Sequence, residues 1–378
     1  MMWCAGRWNA SHLACTQLMI IDGRPFSPTF HPERVALAGQ SFVRDYCAVL
    51  SELRGDWKWQ AEALILENWY ATNYVCHLCR AHKRIKRLWF TTFRRYARLR
   101  NTKITSRAFR EWHRSRPLHE QSPLVSIISF CIWRCWVDAM HCLYLGVYQS
   151  LAASCLHELV LELVFGASSI ENRFFQAHLE YKEWCKVRHY PPCPRFEYKK
   201  MCPAGEFPSF TQQSAKGAMT KHLMEWLHSV LLRPGVSDGE HGNVRLALFA
   251  SWACVEEVCA RRGRFIPLDD ARIIQDAAEN ALVCHNWLNS EALVNNNLEL
   301  HILPKCHMAT HLVFDFLGPT RVNPRAVANY SDEDMVGKIK RIMSSCHGAS
   351  AGRMAMYRYI ILAGTRWWDR LAHLRNLR

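Results

Sequence analysis

The amino-acid sequence predicts an α+β fold in which helices predominate. Residues 18–21 form a short apolar run that ends in Asp22-Gly23, and residues 124–136 form a second, longer run. Short apolar runs bounded by turn residues are typical of buried strands. Both runs are therefore predicted strands, and the patterns elsewhere predict helices, so that the sheet is a minority.

The predicted helices follow from apolar residues that recur at helical spacing. Residues 56–74 have this spacing, and residues 140–163 have it most clearly, with Gly166 as a stop. Residues 190–210 hold five of the 15 prolines and are predicted to be a loop. Further helices are predicted at about 212–232, 241–261 and 268–297. A last helix is predicted to begin at about Ser331, with acids in its first turn.

Composition and charge limit the classes of function. The 378 residues are 49% hydrophobic, which is typical of a folded globular protein rather than a disordered one. The net charge of +15 favours a polyanion as partner, either nucleic acid or an anionic membrane surface. No apolar run approaches the roughly 20 residues that a membrane span needs, so no spanning segment is predicted.

Two pairs of residues have the spacing of metal ligands. The chain has 17 cysteines, and its first residues do not have the pattern of a secretory leader, so reduced thiols or metal ligands are expected. Cys76 and Cys79 are separated by two residues, and His307 and His311 by three. Together they would make a Cys₂His₂ tetrahedron, but spacing alone does not pair two half-sites more than 200 residues apart. Coincidence for the cysteines, and capping or core packing for the histidines, are the alternatives.

The positive charge is concentrated in residues 80–116, which we call the basic segment. It contains fourteen Lys and Arg residues and one acid, Glu111, so it carries +13. Salt-bridged surface helices alternate charge signs, whereas this segment interleaves its cations with aromatic residues. Contact with nucleic acid is predicted, and residues 83–87 would also serve as a nuclear address. The residues assigned to DNA are Lys83, Arg84, Lys86, Arg87, Arg94, Arg95 and Arg98.

Four acids are candidates for a magnesium site. Phosphodiester chemistry with two Mg²⁺ ions needs carboxylates that converge from remote parts of a chain. Asp22 and Asp56 follow turn-like segments, Asp138 follows the apolar run at 124–136, and Glu333 opens the last predicted helix. A solvated surface position is the alternative for each of them.

These motifs occur in a definite order along the chain. The order is Asp56, then Cys76-His-Leu-Cys79, Asp138-Ala-Met-His141, a long helical stretch, the His307/His311 pair and Glu333. Over roughly residues 54–341 it resembles the core of eukaryotic cut-and-paste DNA transposases, including the Transib-like and CACTA-like groups and the catalytic subunit of the V(D)J recombinase. The resemblance implies an RNase H-like core with a large all-α insertion. It also implies Mg²⁺-dependent cleavage and strand transfer of DNA, and a structural Zn²⁺.

The resemblance also implies a role for each candidate residue. Asp56 would be a Mg²⁺ ligand and the second acid of the catalytic triad. Glu333 would be the last acid, with its neighbour Asp334 as a competitor. Asp138 and His141 would be the accessory Asp-x-x-His pair near the active site. The zinc that ties the insertion to the core would be held by Cys76, Cys79, His307 and His311.

The first acid of the triad stays open. Asp22 lies only 34 residues before Asp56, which is closer than the family pattern implies. Either the opening hairpin is missing or shortened, or Asp138 supplies the third carboxylate. A truncated or degenerate member is therefore expected. The alternative function is a catalytically inactive relic or a co-opted zinc-containing DNA-binding protein.

Three parts of the chain are predicted on this basis. Residues 1–140 would be a partial RNase H-like core with the cysteine pair and basic segment, and residues 141–300 the helical insertion. Residues 301–378 would complete the core with the histidine pair and last acidic helix. The resemblance implies a nuclear protein with DNA as its partner, acting as a homodimer, and no membrane partner is expected.

Overall fold

The computed structural model describes residues 20–21, 24–25, 52–127, 129–203, 205–211 and 215–350, with residues 352–354, 357–359, 361 and 364. About 63% of the described chain is helical and about 2% is strand. Strands β1 (Ile20–Ile21) and β2 (Arg24–Pro25) pair antiparallel, with Ile20 opposite Pro25. The predicted strand at 18–21 is thus confirmed at its described residues, Ile20 and Ile21, whereas the described chain as a whole is nearly all-α.

The predicted α+β fold with an RNase H-like core is wrong. Such a core needs a central sheet, and the described residues form none beyond the β1–β2 hairpin. The predicted strand at 124–136 contains two 3-10 turns instead, Pro123–Ser126 and Ile132–Arg134. Among the described residues of this run, the amide of Cys135 donates to the carbonyl of Ile132 at 3.1 Å, and an isolated bridge joins Cys135 to Leu53. Because Ile132 is fully buried, the apolar run indicates burial rather than strand pairing.

Eleven α-helices are assigned in the described chain, and we number them in order. They are α1 (Trp57–Ala63), α2 (Ser106–Arg114), α3 (Tyr148–Leu161), α4 (Ile170–Val187), α5 (Tyr198–Met201), α6 (Gly217–Leu231), α7 (Gly239–Ala260), α8 (Leu268–Val294), α9 (Pro304–Thr310), α10 (Gly318–Thr320) and α11 (Tyr330–Ser344). Two π-helices adjoin them, Met140–Val147 before α3 and His311–Leu317 after α9. The remaining helical turns are short 3-10 segments at Lys86–Leu88, Arg98–Thr102, Leu118–Glu120, Pro324–Val327 and Gly348–Ser350.

Most of the predicted helices are confirmed. The helix at 140–163 is the first π-helix together with α3, and the next three predictions correspond to α6, α7 and α8. Helix α11 begins one residue before the predicted start. The prediction at 56–74 is too long, because α1 ends at Ala63 and Ile65 has a positive φ of 52° that no right-handed helix continues. Among the described residues of the proline-rich loop, the one α-helix is α5.

The helices pack around a core that contains many aromatic side chains. Helices α7 and α8 pack along each other, and α3 and the π-helix before it pack against α6. Trp226, Trp252, Tyr148 and Phe174 are among the largest fully buried side chains. Contacts divide the chain into one compact unit of residues 2–327 and a second of residues 328–378 that contains α11. In the described chain, no helix has the length and apolarity of a membrane span.

Candidate metal centre

A folded loop after α1 presents the two cysteines. The amide of Val75 donates to the carbonyl of Ala81 at 3.0 Å, which closes the loop around Cys76 and Cys79. The amide of Leu78 donates to Sγ of Cys76 at 3.3 Å. Both cysteines are buried. An N–H donor aimed at sulfur stabilises the thiolate, the form of cysteine that binds metal.

The two histidines lie one turn apart where α9 runs into the second π-helix. Pro304 is at the first position of α9, where its missing N–H removes no helical hydrogen bond. Residues four apart on a helix point to the same side. His307 and His311 are both buried, and their rings lie 4.8 Å apart between centroids.

The two pairs meet in the interior of the protein. Sγ of Cys79 lies 3.2 Å from Nε2 of His307, and Sγ of Cys76 lies 3.3 Å from Nε2 of His311. The two Nε2 atoms are 3.2 Å apart. All four ligand atoms lie within 4.8 Å of one another. The structure therefore brings together the four predicted ligands, from parts of the chain more than 200 residues apart.

The dimensions of this cluster fit a zinc ion. Zn–N bonds of about 2.0–2.1 Å and Zn–S bonds of about 2.3 Å at tetrahedral angles place two nitrogens about 3.4 Å apart, and a nitrogen and a sulfur about 3.6 Å apart. The observed separations are within a few tenths of an ångström of these values. Two thiols and two imidazoles are also the ligands zinc prefers. The cluster could therefore hold a metal ion such as zinc.

A buried carboxylate orients one of the histidines. Nδ1 of His311 donates to Oδ2 of Asp315 at 2.6 Å, which leaves Nε2 directed at the cluster. Asp315 also accepts from Arg100 at 2.5 Å and pairs with Lys103 at 2.6 Å. Histidine ligands in metal sites commonly donate their other N–H to a carboxylate. Asp315 was not predicted from the sequence, although its position four residues after His311 is the signal for such a pair.

Burial and hydrogen bonding set the protonation states of the cluster. Burial raises the pKa of the Cys76 thiol, whereas the hydrogen bond with Cys76 lowers the pKa of Cys79. Burial lowers the pKa of His307 and favours the neutral ring that ligates metals. Burial alone would raise the pKa of Asp315, but the hydrogen bond with His311 and the charge of Arg100 lower it.

Two of the predicted acids line one cavity next to the cluster. The cavity has a volume of about 230 Å³, and its lining includes Asp56, Asp138, His141, Lys305 and Met308. Sδ of Met308 lies 3.9 Å from Sγ of Cys76, so the cavity adjoins the metal cluster. The predicted pair Asp138 and His141 is hydrogen bonded through Oδ2 and Nδ1.

Backbone pairing brings these two acids to the same cavity. Residues Leu53 and Cys135 form an isolated parallel bridge, in which the amide of Leu53 donates to the carbonyl of Arg134 at 2.7 Å. The bridge aligns the segments that lead to Asp56 and to Asp138. Oδ1 of Asp56 accepts from the amide of Trp59 at 2.6 Å and caps α1, so this acid also has a structural role.

The remaining acidic candidates are Asp22, Glu333 and Asp334. Asp22 is outside the described residues. Glu333 and Asp334 lie on α11 in the unit of residues 328–378, both exposed. Asp334 forms an ion pair with Lys338, one turn further along the same helix. The exposed positions of these two acids on α11 match the alternative stated for them, a solvated position on the surface.

The basic segment separates into internal and outward-facing cations. Arg95 bonds Glu279 at 2.5 Å and also pairs with Asp276, so this predicted DNA contact is engaged within the protein. Arg94 is exposed and lies 3.9 Å from Glu279. Eight further cations have no acidic partner among the described residues: Arg80, Lys83, Arg84, Lys86, Arg87, Arg98, Arg110 and Arg114. Five of the seven predicted DNA contacts are in this group.

Comparisons of the chain with protein-family models, with curated proteins and with solved structures give no match. The resemblance to cut-and-paste transposases therefore stays a prediction that rests on the order and spacing of the motifs.

Proposed function

We propose that this protein is a zinc-stabilised, helical DNA-binding protein of the nucleus. The observation that carries the proposal is the link between the metal cluster and the basic segment. Asp315 bonds the ligand His311 on one side and the segment residues Arg100 and Lys103 on the other. A zinc ion held by the cluster would fix both the cysteine loop and the helix that anchors the segment.

The outward-facing cations support DNA as the partner. Each Lys or Arg that neutralises a phosphate releases condensed counterions, and this makes a surface rich in unpaired cations a strong binder of polyanions. Lys83, Arg84, Lys86 and Arg87 are all exposed and lie close together along the chain. The same cluster would serve as the nuclear address.

The affinity of the purified full chain for duplex DNA, measured over a range of salt concentrations, tests this proposal. We expect a plot of the logarithm of the affinity against the logarithm of the salt concentration to have a steep negative slope. Each phosphate contacted should contribute about 0.9 to that slope. Removal of zinc should weaken binding, because the segment loses its support. Absence of DNA binding at low salt by the folded, zinc-loaded chain would reject the proposal.

Metal-dependent cleavage of DNA is a second candidate function. It is favoured by one observation, the presence of Asp56, Asp138 and His141 in one cavity. Carboxylate oxygens are the ligands that Mg²⁺ prefers, and the two aspartates would hold it. The imidazole of His141, oriented by Asp138, could accept a proton from an attacking water. In this proposal the two aspartates belong to a helical fold and not to an RNase H-like sheet.

Nicking of a supercoiled plasmid in the presence of Mg²⁺ or Mn²⁺ tests this second function. We expect nicking to be lost in Asp56→Asn and in Asp138→Asn. The Glu333→Gln variant tests whether the last acid implied by the transposase resemblance takes part. Nicking that survives in both aspartate variants would reject these residues as metal ligands, and a complete absence of nicking would leave DNA binding as the function.

A further inference from the structure

We infer that the surface around Trp89 and Tyr96 binds unpaired DNA, with bases stacked on the two rings. The inference rests on the DNA binding proposed above and adds the form of the strand that the basic segment accepts. Four observations carry it: the exposure of the two rings, the anchoring of the backbone beside Tyr96, a groove next to Trp89, and the charges that surround both.

The first observation is an exposed ring among cations. Tyr96 is 91% exposed and Trp89 is 43% exposed, whereas most other aromatic side chains among the described residues are buried or half-buried. Arg94 and Arg98 flank Tyr96 and are exposed as well. In a double helix the faces of the bases are covered by their neighbours. An unpaired base offers a free face that stacks on an aromatic side chain, whatever the base is.

The second observation is that the backbone on both sides of Tyr96 is anchored. Arg95 bonds Glu279 of α8, and Arg100 bonds Asp315 at 2.5 Å and Thr310 at 3.1 Å. Both guanidinium groups also lie over the ring of Phe314, at 5.6 Å and 4.8 Å from its centroid. The chain is therefore ordered before any ligand arrives. Because less conformational freedom is lost on binding, a ring carried by an anchored backbone binds a base more tightly than a ring on a flexible segment.

The third observation is a groove between the basic segment and α8. Its volume is about 550 Å³, and its lining includes Lys83, Trp89 and Arg94 from the segment and Asn286, Asn289 and Ser290 from α8. A groove of this volume is large enough to hold an unpaired base. Amide and hydroxyl groups donate and accept hydrogen bonds, and they suit the exposed edges of unpaired bases.

The fourth observation is the charge around the groove. Lys83 and Arg94 are exposed at the groove, and none of the described residues that line it is acidic. Arg84, Lys86 and Arg87 extend the positive charge along the chain, with no acidic partner in the described residues. A basic track with stacking rings is the combination by which proteins bind single strands without sequence preference. Such a surface suits the strand that opens when a duplex is distorted or nicked.

The test compares two forms of DNA on the full zinc-loaded chain. One is a fluorescent oligothymidine of about 20 nucleotides, longer than a typical single-strand site, and the other is a duplex of the same length. We expect tighter binding of the single strand. Tyr96→Ala should weaken it about 5- to 100-fold, the effect of one lost base stack, while the duplex affinity and the salt dependence stay unchanged.

Two control variants isolate the role of the ring. Tyr96→Phe keeps the ring and should keep the affinity. Phe265→Ala removes another exposed ring, which is 66% exposed, and should leave both affinities unchanged.

A strand carrying 2-aminopurine reports stacking directly, because its fluorescence is quenched when it stacks on an aromatic ring. We expect this quenching in the parent and not in Tyr96→Ala.

The outcomes distinguish this inference from the proposed function. If the duplex binds at least as tightly as the single strand, or if Tyr96→Ala changes both affinities equally or changes neither, the inference is overturned and DNA binding stands. If neither form binds at low salt, the proposed function itself fails. Selective loss of single-strand binding in Tyr96→Ala, with quenching lost, supports the inference.

Discussion

Nδ1 of His311 lies 2.6 Å from Oδ2 of Asp315, and the same carboxylate oxygen lies 2.5 Å from Nη2 of Arg100. One buried side chain thus joins a residue of the metal cluster to a cation of the basic segment. Metal binding and the conformation of the segment are expected to depend on each other through this carboxylate.

The carboxylate of Asp315 should strengthen zinc binding without being a ligand. In Asp315→Asn, His311 keeps a hydrogen-bond partner but loses the negative charge that makes its ring a stronger ligand. We expect zinc affinity to fall about 10- to 100-fold, measured by competition with a chromophoric chelator. Asp269→Asn changes an exposed carboxylate of α8 and should leave the affinity unchanged. Equal affinities in the parent and Asp315→Asn would contradict this role.

The exposed cations of residues 83–87 should account for part of the salt dependence of DNA binding. A quadruple variant with Gln in place of Lys83, Arg84, Lys86 and Arg87 should lower the salt slope by up to about 3.6, since each contact contributes about 0.9. The charge-matched control changes four exposed lysines outside the segment to Gln: Lys182, Lys186, Lys199 and Lys200. The same loss of slope in both variants would show that only total charge matters.

A buried arginine should be essential to the stability of the helical unit. Arg245 is 1% exposed and bonds Glu162 through both terminal nitrogens at 2.8 Å and Glu158 at 3.0 Å. Arg245→Ala leaves the buried Glu158 without its arginine partner, and we expect the free energy of unfolding in urea to fall by about 3–5 kcal/mol.

The control for this stability prediction is Arg233→Ala. Arg233 pairs with Glu180, but its side chain is 40% exposed, so its removal should cost about 1 kcal/mol or less. Similar losses of stability in Arg245→Ala and Arg233→Ala would contradict the importance given to burial at Arg245.

His241 should stabilise the fold in a manner that depends on pH. The hydrogen bond with Glu158, opposed by burial and assisted by Glu291, raises the pKa of His241 from 6.5 to about 9. Because the folded state binds the proton more tightly, the stabilisation is fully present below pH 6.5 and is lost as pH rises through about 9. The side chain is 35% exposed, so we expect only about 1–2 kcal/mol.

The difference in unfolding free energy between the parent and His241→Gln measures this contribution, since other titrating groups cancel in the comparison. We expect the difference to be largest at pH 6 and to shrink towards pH 9. A difference that is constant over this range would mean that the charge of His241 does not stabilise the fold.

The sequence predicts the long helices well and the fold class poorly. The helices near 140–163 and 268–297 have many apolar residues at helical spacing, and such segments leave little ambiguity. The run at 124–136 is apolar because residues such as Val125 and Ile132 are buried, and burial alone does not distinguish a strand from a chain of 3-10 turns. The RNase H-like core rested on this strand and on the resemblance.

The candidate site was predictable where spacing carries the chemistry. Cys76 with Cys79 and His307 with His311 were identified as half-sites, but the pairing across more than 200 residues came from the resemblance. Asp56 shows the opposite case. Its position before Trp59 also fits a helix cap, and capping was not considered because the acid was interpreted as a metal ligand. Local sequence does not tell which of these two roles a carboxylate has.

The zinc content of the purified chain, with Cys76→Ser and His307→Ala beside it, tests the central claim most directly. The controls are Cys284→Ser and His119→Ala, which change a cysteine and a histidine outside the cluster. We predict about one tightly bound zinc per chain in the parent and the controls, and loss of that zinc in both cluster variants. A folded parent without zinc, or zinc that is retained in both cluster variants, would contradict the claim that the two remote pairs form one metal site.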